Sequence, residues 1–204
     1  MVGKRTLRSC FCAMGLRRFG AEDRGVAAIE FAMVLPIVVL LMLGCFEVPR
    51  YVLVYQRLAR TSASVADLVA QADEPISSPQ MADIFSAGKM LMQPYDVVTN
   101  GEIVVSSINN PAGAGVILTW QRSNGAVTTA SKIGVEGAQG NAVKIPTALL
   151  PAADQEVLAA EVYFNYVPVF GTRIYQGSEL YMVSYSRPRN KNLTTKPAAL
   201  TPLP

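Results

Sequence analysis

Residues 26–46 read VAAIEFAMVLPIVVLLMLGCF, a run of 21 residues in which Glu30 is the single charge. As an α-helix this run would be roughly 31 Å long, close to the thickness of a bilayer's hydrocarbon core. The sequence therefore predicts a membrane-spanning helix. A cleaved secretory signal has a shorter apolar core, followed by a small-x-small site. Residues 47–50 read EVPR and offer no such site, so we expect the helix to stay with the protein.

The excess positive charge of the chain lies before the apolar run. Residues 1–25 hold six basic and two acidic residues, a net charge of +4, whereas residues 26–204 have a net charge of −1. Because lysine and arginine are enriched on the cytoplasmic side of membrane helices, we expect residues 1–25 to be cytoplasmic and the C-terminal part periplasmic. A nucleic-acid-binding protein would carry its basic residues as a patch on the folded domain. We therefore expect no nucleic-acid partner.

The residue types that catalysis and metal binding most often use are missing from the C-terminal part. The chain has no histidine, and its three cysteines, Cys10, Cys12 and Cys45, all lie within residues 1–46. This excludes a Ser-His or Cys-His pair and any His- or Cys-based metal site in the C-terminal part. The acidic residues form no recognisable paired-carboxylate motif. The run Gly134–Gly140 lacks the spacing and the lysine of a P-loop, which predicts a loop. We expect no enzyme, no cofactor and no metal.

A helical pattern continues beyond the apolar run. Pro36 and Pro49 each remove a backbone donor, and we expect them to kink the helix rather than to end it. The apolar face of this continued helix has two interpretations: it is covered by its own domain, or it is shared with neighbouring subunits. Apolar residues recur at spacings of three, four and seven, which predicts one helix face that runs to about Gln71: Tyr51, Val54, Leu58, Val65, Leu68 and Ala72.

The rest of the chain predicts an α+β domain. Residues 73–79 read DEPISSP and indicate a break, after which Ser78 and Pro79 predict the start of a short second helix. We expect its inward-facing residues to be Met81, Ile84, Phe85 and Met90. Residues 102–108 are rich in β-branched residues and 116–121 contain VILTW, which predicts two strands of an antiparallel sheet. We expect further strands at 126–130, 157–167 and 180–186, with a hairpin turn at Asn124-Gly125.

The predicted organisation has five parts. A basic cytoplasmic leader (1–25) precedes the transmembrane helix (26–46) and its extension (47–74). The α+β domain (75–186) follows, and a polar, proline-rich tail (187–204) is predicted to be extended or loosely docked.

Glu30 is the residue of the apolar run that most needs an explanation. An ionisable side chain in a lipid-facing segment costs on the order of a few kcal/mol, so it normally has a partner. Position alone leaves a second interpretation, because Glu30 is near the boundary of the run and could snorkel or stay protonated. Its context is informative, since Gly25 directly precedes the run and Glu30 is the fifth residue after it.

A basic leader, a glycine and an apolar segment with glutamate at its fifth position together resemble the processing signature of type IV prepilins. Residues 24–36, RGVAAIEFAMVLP, are similar to TadE/TadF-like pseudopilins of the tight-adherence (Flp, type IVb) pilus systems. The later run SRPR, 186–189, also has the look of that family. Phe31 stands where major Flp pilins often have tyrosine. Major Flp pilins are far shorter and TadG-like members usually longer, so the resemblance points to a minor pseudopilin.

The resemblance implies specific roles for these residues. A membrane aspartyl prepilin peptidase would cut between Gly25 and Val26. Glu30 would then pair with the α-amino group of a neighbouring subunit, which relieves the burial cost of both charges and fixes the axial register between subunits. Phe31 would belong to the same assembly segment, and Pro36 would kink it. The implied partners are the inner membrane, the peptidase, other pilins and pseudopilins, and the Tad assembly platform. The protein would be single-pass, and its incorporation into the pilus is one implied fate.

Two other classes of membrane protein share this topology. An uncleaved, signal-anchored periplasmic interaction or binding module would keep an uncut N-terminus and tolerate Glu30→Ala. A lipoprotein would be lipidated at Cys45, but the preceding residues, MLG, are a poor acceptor context and lie far from the N-terminus.

Overall fold

The computed structural model describes residues 23–72, 76–111, 115–127, 129–149, 151–170, 177–189 and 194–197. Within them the fold is α+β, as the sequence predicts. The chain divides into two compact units, one ending at Phe46 and one beginning at Glu47; we call the second the C-terminal domain. The elements are α1 (Asp23–Gln71), α2 (Ser78–Met92), α3 (Val97–Asn100), β1 (Gly101–Asn109), β2 (Ile117–Gly125), β3 (Glu156–Tyr166) and β4 (Ser178–Ser186), with short 3-10 turns at Gly140–Ala142 and Thr147–Leu149.

α1 continues through both of its prolines and ends at Gln71, where the apolar periodicity predicts its end. Within the C-terminal domain one face of the helix is buried in the core, which confirms that this face is covered by its own domain. Tyr51 and Leu68 are the members of the predicted stripe that stay exposed. The buried members are Val54, Leu58, Val65 and Ala72.

The four strands form one antiparallel sheet in the order β2-β1-β3-β4. β1 and β3 lie at its centre and are buried along nearly their whole length, whereas the edge strands β2 and β4 are partly exposed. The pairing of β1 with β2 shifts between Ser107 and Ile108, an irregularity of the kind that bends an edge strand. The strands predicted at 102–108, 157–167 and 180–186 are confirmed as β1, β3 and β4.

Both faces of the sheet are covered. One packs against α2 and the C-terminal-domain part of α1, around the fully buried Trp120. The approach of α2 is close, because a Cβ at Gly88 would lie 2.9 Å from Ile103 Cδ1 and 3.0 Å from Val65 Cγ2. The other face is covered by the connection from β2 to β3, through Ile133 and Val143. The sheet is thus the middle layer of the domain.

The predicted hairpin at Asn124-Gly125 is wrong. β2 runs through both residues and pairs with β1 as far as Glu102, so no strand follows at 126–130 among the described residues. Glycine is required at 125 for close packing, since a Cβ there would lie 2.3 Å from the Gly101 carbonyl oxygen. The chain then leaves the sheet edge and covers its outer face. Thr129 is fixed on that path because its backbone N–H donates to the Glu102 carboxylate at 2.9 Å.

The predicted inward position of Met90 is also wrong. α2 begins at Ser78 with Pro79 in its first turn, and Ser77 caps it by accepting the N–H of Gln80 at 3.3 Å. Met90 is two residues beyond the buried Gly88, about 200° around the helix, and therefore faces solvent. The buried residues of α2 are Met81, Ile84, Phe85, Gly88 and Met92.

The described parts of the tail dock on the domain. The backbone N–H of Arg189 donates to the Ala70 carbonyl at 2.9 Å, and its guanidinium is 2.5 Å from the Asp67 carboxylate. Further on, the Pro197 carbonyl accepts from Nε of Arg122 at 3.0 Å. The predicted break at 73–75 lies outside the described residues.

Candidate functional site

The first part of α1 exposes its side chains all round. None of residues 25–46 is buried, and among the described residues α1 is the one helix long and apolar enough to cross a membrane. A helix that is apolar on every side and not covered by its own fold belongs in lipid or against other apolar helices. We call residues 25–46 the apolar segment.

The predicted site residues lie in this segment, and the described residues of the chain supply no partner for Glu30. Glu30 and Phe31 are exposed, and no side chain that the structure describes pairs with Glu30. A Cβ at Gly25 would meet no atom within 4 Å, so packing does not require a glycine there. Glycine in a helix interior nevertheless costs about 1 kcal/mol relative to alanine. Within the described residues, packing therefore requires neither Gly25 nor Glu30.

Glu47, the first residue after the apolar segment, joins α1 to the segment that follows β3. Its carboxylate accepts the backbone N–H of Val169 at 3.2 Å and of Phe170 at 3.5 Å, and also the hydroxyl of Tyr166. The Tyr166 ring packs edge-to-face on Tyr51, with 5.5 Å between the ring centroids. These contacts fasten the loop after β3 to the first turn of the C-terminal-domain part of α1.

The two partners of this carboxylate–hydroxyl contact have opposite pKa shifts. Desolvation on its own would raise the pKa of Glu47. The hydrogen bonds from Tyr166, Phe170 and Val169 and the charge of Arg50 outweigh it and hold that pKa below its usual value. Burial, the hydrogen bond to Glu47 and the negative charge of Glu47 raise the pKa of Tyr166 to about 12. The pair is therefore an ionised carboxylate and a neutral phenol at neutral pH.

A second carboxylate, Glu161 in β3, is fully buried under the connection from β2 to β3. It accepts the hydroxyls of Tyr163 at 2.8 Å and Tyr181 at 3.0 Å, the backbone N–H of Lys132 at 3.0 Å, and the hydroxyl of Ser131. Burial and the negative charge of Glu161 raise the pKa of both tyrosines. The Lys132 ammonium lies 4.1 Å from the centre of the Tyr181 ring.

We call the Glu161 cluster a clamp, because its hydrogen bonds hold two segments together and do not form a reaction centre. Both carboxylate oxygens are occupied by donors from its own domain, which leaves no open position for a substrate atom. In the described part of the chain, no three of His, Cys, Asp and Glu lie close enough together to hold a metal ion. The cluster therefore fixes the outer cover on the sheet.

Residues 25–67 match a family model described as TadE-like protein. This segment is TadE-like. The match begins at Gly25 and includes Glu30, Phe31 and Pro36. It spans 43 of the 204 residues, so the four-stranded sheet lies beyond it. No curated protein and no solved structure matches the chain significantly.

The TadE-like match confirms the resemblance that residues 24–36 suggest. It supports involvement of the chain in a Tad pilus system and association with components of that system. The TadE-like family is a family of structural pilus components rather than of enzymes. Its matched residues include the whole apolar segment, which has the length and composition of a single membrane anchor.

Sequence reasoning located the TadE-like residues but missed the two carboxylate clusters. The roles of Gly25, Val26, Glu30 and Phe31 and the kink at Pro36 stay predictions. Glu47 carries one sequence signal, since it is the first charge after the apolar segment. Its hydroxyl donor is 119 residues away in the chain, and no local pattern indicates that pairing.

Proposed function

We propose that the chain is a minor pseudopilin of a Tad (Flp, type IVb) pilus system, processed by a prepilin peptidase after Gly25. One observation carries the proposal. The TadE-like match begins at that glycine and includes, five positions on, a glutamate on a helix segment exposed all round. The assembled form would be a single-pass inner-membrane protein, with its N-terminus on the cytoplasmic side and the C-terminal domain in the periplasm.

The environment of Glu30 supports an intermolecular partner. In lipid an unpaired carboxylate at this position is costly, and no described side chain of the same molecule neutralises it. Cleavage after Gly25 creates a new α-amino group on Val26, which carries the complementary charge. Pairing that group with Glu30 of a neighbouring subunit offsets the desolvation of both charges. It also fixes one axial register, because the partners are single points on each helix.

The partners of the proposed pseudopilin follow from this assignment. The prepilin peptidase acts on the leader, and other pilins and pseudopilins pack against the apolar segment. The Tad assembly platform receives the processed chain. The C-terminal domain contributes contacts outside the membrane.

The experiment that tests the proposal determines the N-terminus of the protein isolated from its native membrane. Three forms are compared by mass spectrometry: the wild type, Gly25→Ala and Gly44→Ala. Gly44 is the matched control, because it also lies in the apolar segment and a Cβ there would also meet no atom within 4 Å. Both changes are therefore neutral or favourable for the helix itself.

We expect the wild type and Gly44→Ala to begin at Val26 and Gly25→Ala to retain the leader. An uncut leader in all three forms, in cells that contain a prepilin peptidase, would contradict the proposal and leave a signal-anchored periplasmic module. Cleavage in all three forms would show that Gly25 is not the processing residue.

A further inference from the structure

Exposed apolar side chains of the C-terminal domain concentrate in two short stretches. One is the helix stretch 48–55, which exposes Val48, Val52 and Leu53. The other is the segment 167–170, which we call the loop segment; its residues Val167, Val169 and Phe170 are 60%, 52% and 43% exposed. Isolated exposed apolar residues are ordinary, whereas a group of them marks a contact surface.

Contacts of Glu47 and Tyr51 hold the loop segment beside the helix stretch. Glu47 accepts the N–H groups of Val169 and Phe170, and Tyr166 packs on Tyr51. The position of the loop segment relative to Glu47 is therefore fixed by hydrogen bonds rather than left to the conformation of the loop.

Glu47 also locates the loop segment along the chain's path out of the membrane. It directly follows Phe46, the last residue of the apolar segment, and one residue of helix advances only 1.5 Å. In the proposed topology, backbone groups that bond to its carboxylate are therefore tied to the first residue after the membrane-spanning segment. Tyrosines are enriched at the membrane–water interface in membrane proteins; Tyr51 and Tyr55 lie in the helix stretch, and Tyr166 directly precedes the loop segment.

We propose that the loop segment is a second membrane contact, inserting Val167, Val169 and Phe170 into the outer interface of the bilayer that α1 crosses. The inference rests on the proposed membrane topology. We favour a lipid surface as the partner of the loop segment, because the loop segment is bonded to Glu47, the residue that directly follows the apolar segment. Arg50, one turn of helix further on, suits the headgroup layer, since arginine can bury its stem and keep its charge in water.

The test uses the full chain in lipid nanodiscs and reads depth from quenching of tryptophan fluorescence by brominated phosphatidylcholine. Trp120, the single natural tryptophan, is fully buried in the domain core and supplies a constant background. The reporters are Phe170→Trp and, independently, Val169→Trp. The matched control is Val135→Trp, since Val135 is also exposed, at 67%, but belongs to the cover of the outer sheet face. Leu40→Trp reports insertion of the apolar segment itself.

We expect lipid brominated near the headgroup to quench the loop reporters about threefold more than Val135→Trp, and deeply brominated lipid to quench Leu40→Trp. Aqueous iodide should show the reverse preference, quenching Val135→Trp most. Loop reporters quenched no more by lipid than Val135→Trp, with Leu40→Trp quenched, would overturn the second contact while leaving the membrane anchor intact. Loop reporters shielded from both quenchers would indicate a protein occupant and would also overturn it. An unquenched Leu40→Trp would remove the membrane anchor and this inference together.

Discussion

The two halves of α1 share one helix but differ in what surrounds them. From Glu47 to Gln71 the apolar residues form a stripe that the sheet and α2 bury, with Val54, Leu58 and Val65 fully inaccessible. From Gly25 to Phe46 apolar residues occur on every side and none is buried. The first pattern is that of a helix packed in its own core, and the second is that of a helix whose contacts come from outside.

The difference shows that the periodicity of apolar residues, and not their number, reports which contacts a helix makes within its own chain. The stripe in the second half leaves polar positions such as Asp67 and Gln71 for the surface, where they are hydrogen-bonded to each other at 2.7 Å. The first half has one polar exception, Glu30. Under the proposed function, that exception is where one subunit recognises another.

For the first half, the change with the largest expected effect is Glu30→Gln. The amide keeps the shape of the side chain and removes its charge, which leaves a neighbouring α-amino group without a counter-charge. We expect recovery of other pilin subunits with the tagged chain to fall by more than about tenfold, a loss equivalent to at least about 1.4 kcal/mol. Affinity purification from piliated cells, followed by quantitative mass spectrometry, measures this.

The control for that experiment is Met33→Ala, which removes an exposed apolar side chain one turn away without changing charge. It should reduce recovery of those subunits much less than Glu30→Gln does, because it leaves the charge of Glu30 in place. If Glu30→Gln recovered as much of the other subunits as the wild type does, Glu30 would have no assembly role.

The second half is tested by Leu58→Ala. Truncating a fully buried leucine leaves a cavity, and we expect the free energy of unfolding of the C-terminal domain to fall by about 2–5 kcal/mol. Leu40→Ala, in the exposed half, should change it by less than about 0.5 kcal/mol. Denaturant titration of the full chain in detergent, followed by Trp120 fluorescence, measures both. Equal losses would remove the distinction between the halves.

Alkaline pH should lower the stability of the C-terminal domain specifically, because the tyrosines with raised pKa values belong to that domain. A group whose pKa is higher in the folded state stabilises the fold fully below its unfolded pKa, here about 10, and loses that contribution as pH rises. Tyr166, with a pKa of about 12, and Tyr163 and Tyr181, raised by burial and by the charge of Glu161, act in this sense.

We therefore expect the free energy of unfolding of the domain to decline above pH 10, by about 1.4 kcal/mol per pH unit for each proton lost only on unfolding. Parallel records of tyrosinate absorbance and Trp120 fluorescence check this. Ionisation of all tyrosines near pH 10 without loss of tertiary structure would contradict the buried cluster.

The smallest effect expected is from Tyr181→Phe, which removes one donor from Glu161 while keeping the ring. The remaining donors still satisfy the carboxylate, so we expect a loss of about 1 kcal/mol in unfolding free energy. Tyr185→Phe, on the same strand, is the matched control and should lose less. A loss from Tyr181→Phe no greater than from the control would show that the Tyr181 hydroxyl is not part of the clamp.

The fold could be predicted where local pattern dominates. The end of α1, the start of α2 and the strands β1, β3 and β4 follow from local sequence pattern and capping, which are properties of neighbouring residues. The Asn124-Gly125 hairpin was predicted wrongly because the same dipeptide can end an edge strand. The competing requirement, close approach of Gly125 to Gly101, comes from 24 residues away in the chain.

The candidate site also has one part with a local sequence signature and one part formed by residues far apart in the chain. Gly25, Glu30 and Phe31 stand out in the sequence because the signature that suggests their roles is linear, and those roles stay predictions. The donors to Glu47 are 119 to 123 residues away in the chain, and the most distant donor to Glu161 is 30 residues away. Only the folded domain brings these groups together.

The most direct test of the contrast within α1 is site-specific photocrosslinking in piliated cells. A photoreactive phenylalanine analogue replaces either Met33, in the apolar segment, or Met90, on α2; these side chains have similar exposure, 73% and 69%. We predict protein adducts with other pilin-family subunits from position 33, reduced by Glu30→Gln, and at most about a tenth of that yield from position 90. No protein adduct from position 33, or the same partners in equal yield from position 90, would contradict the account.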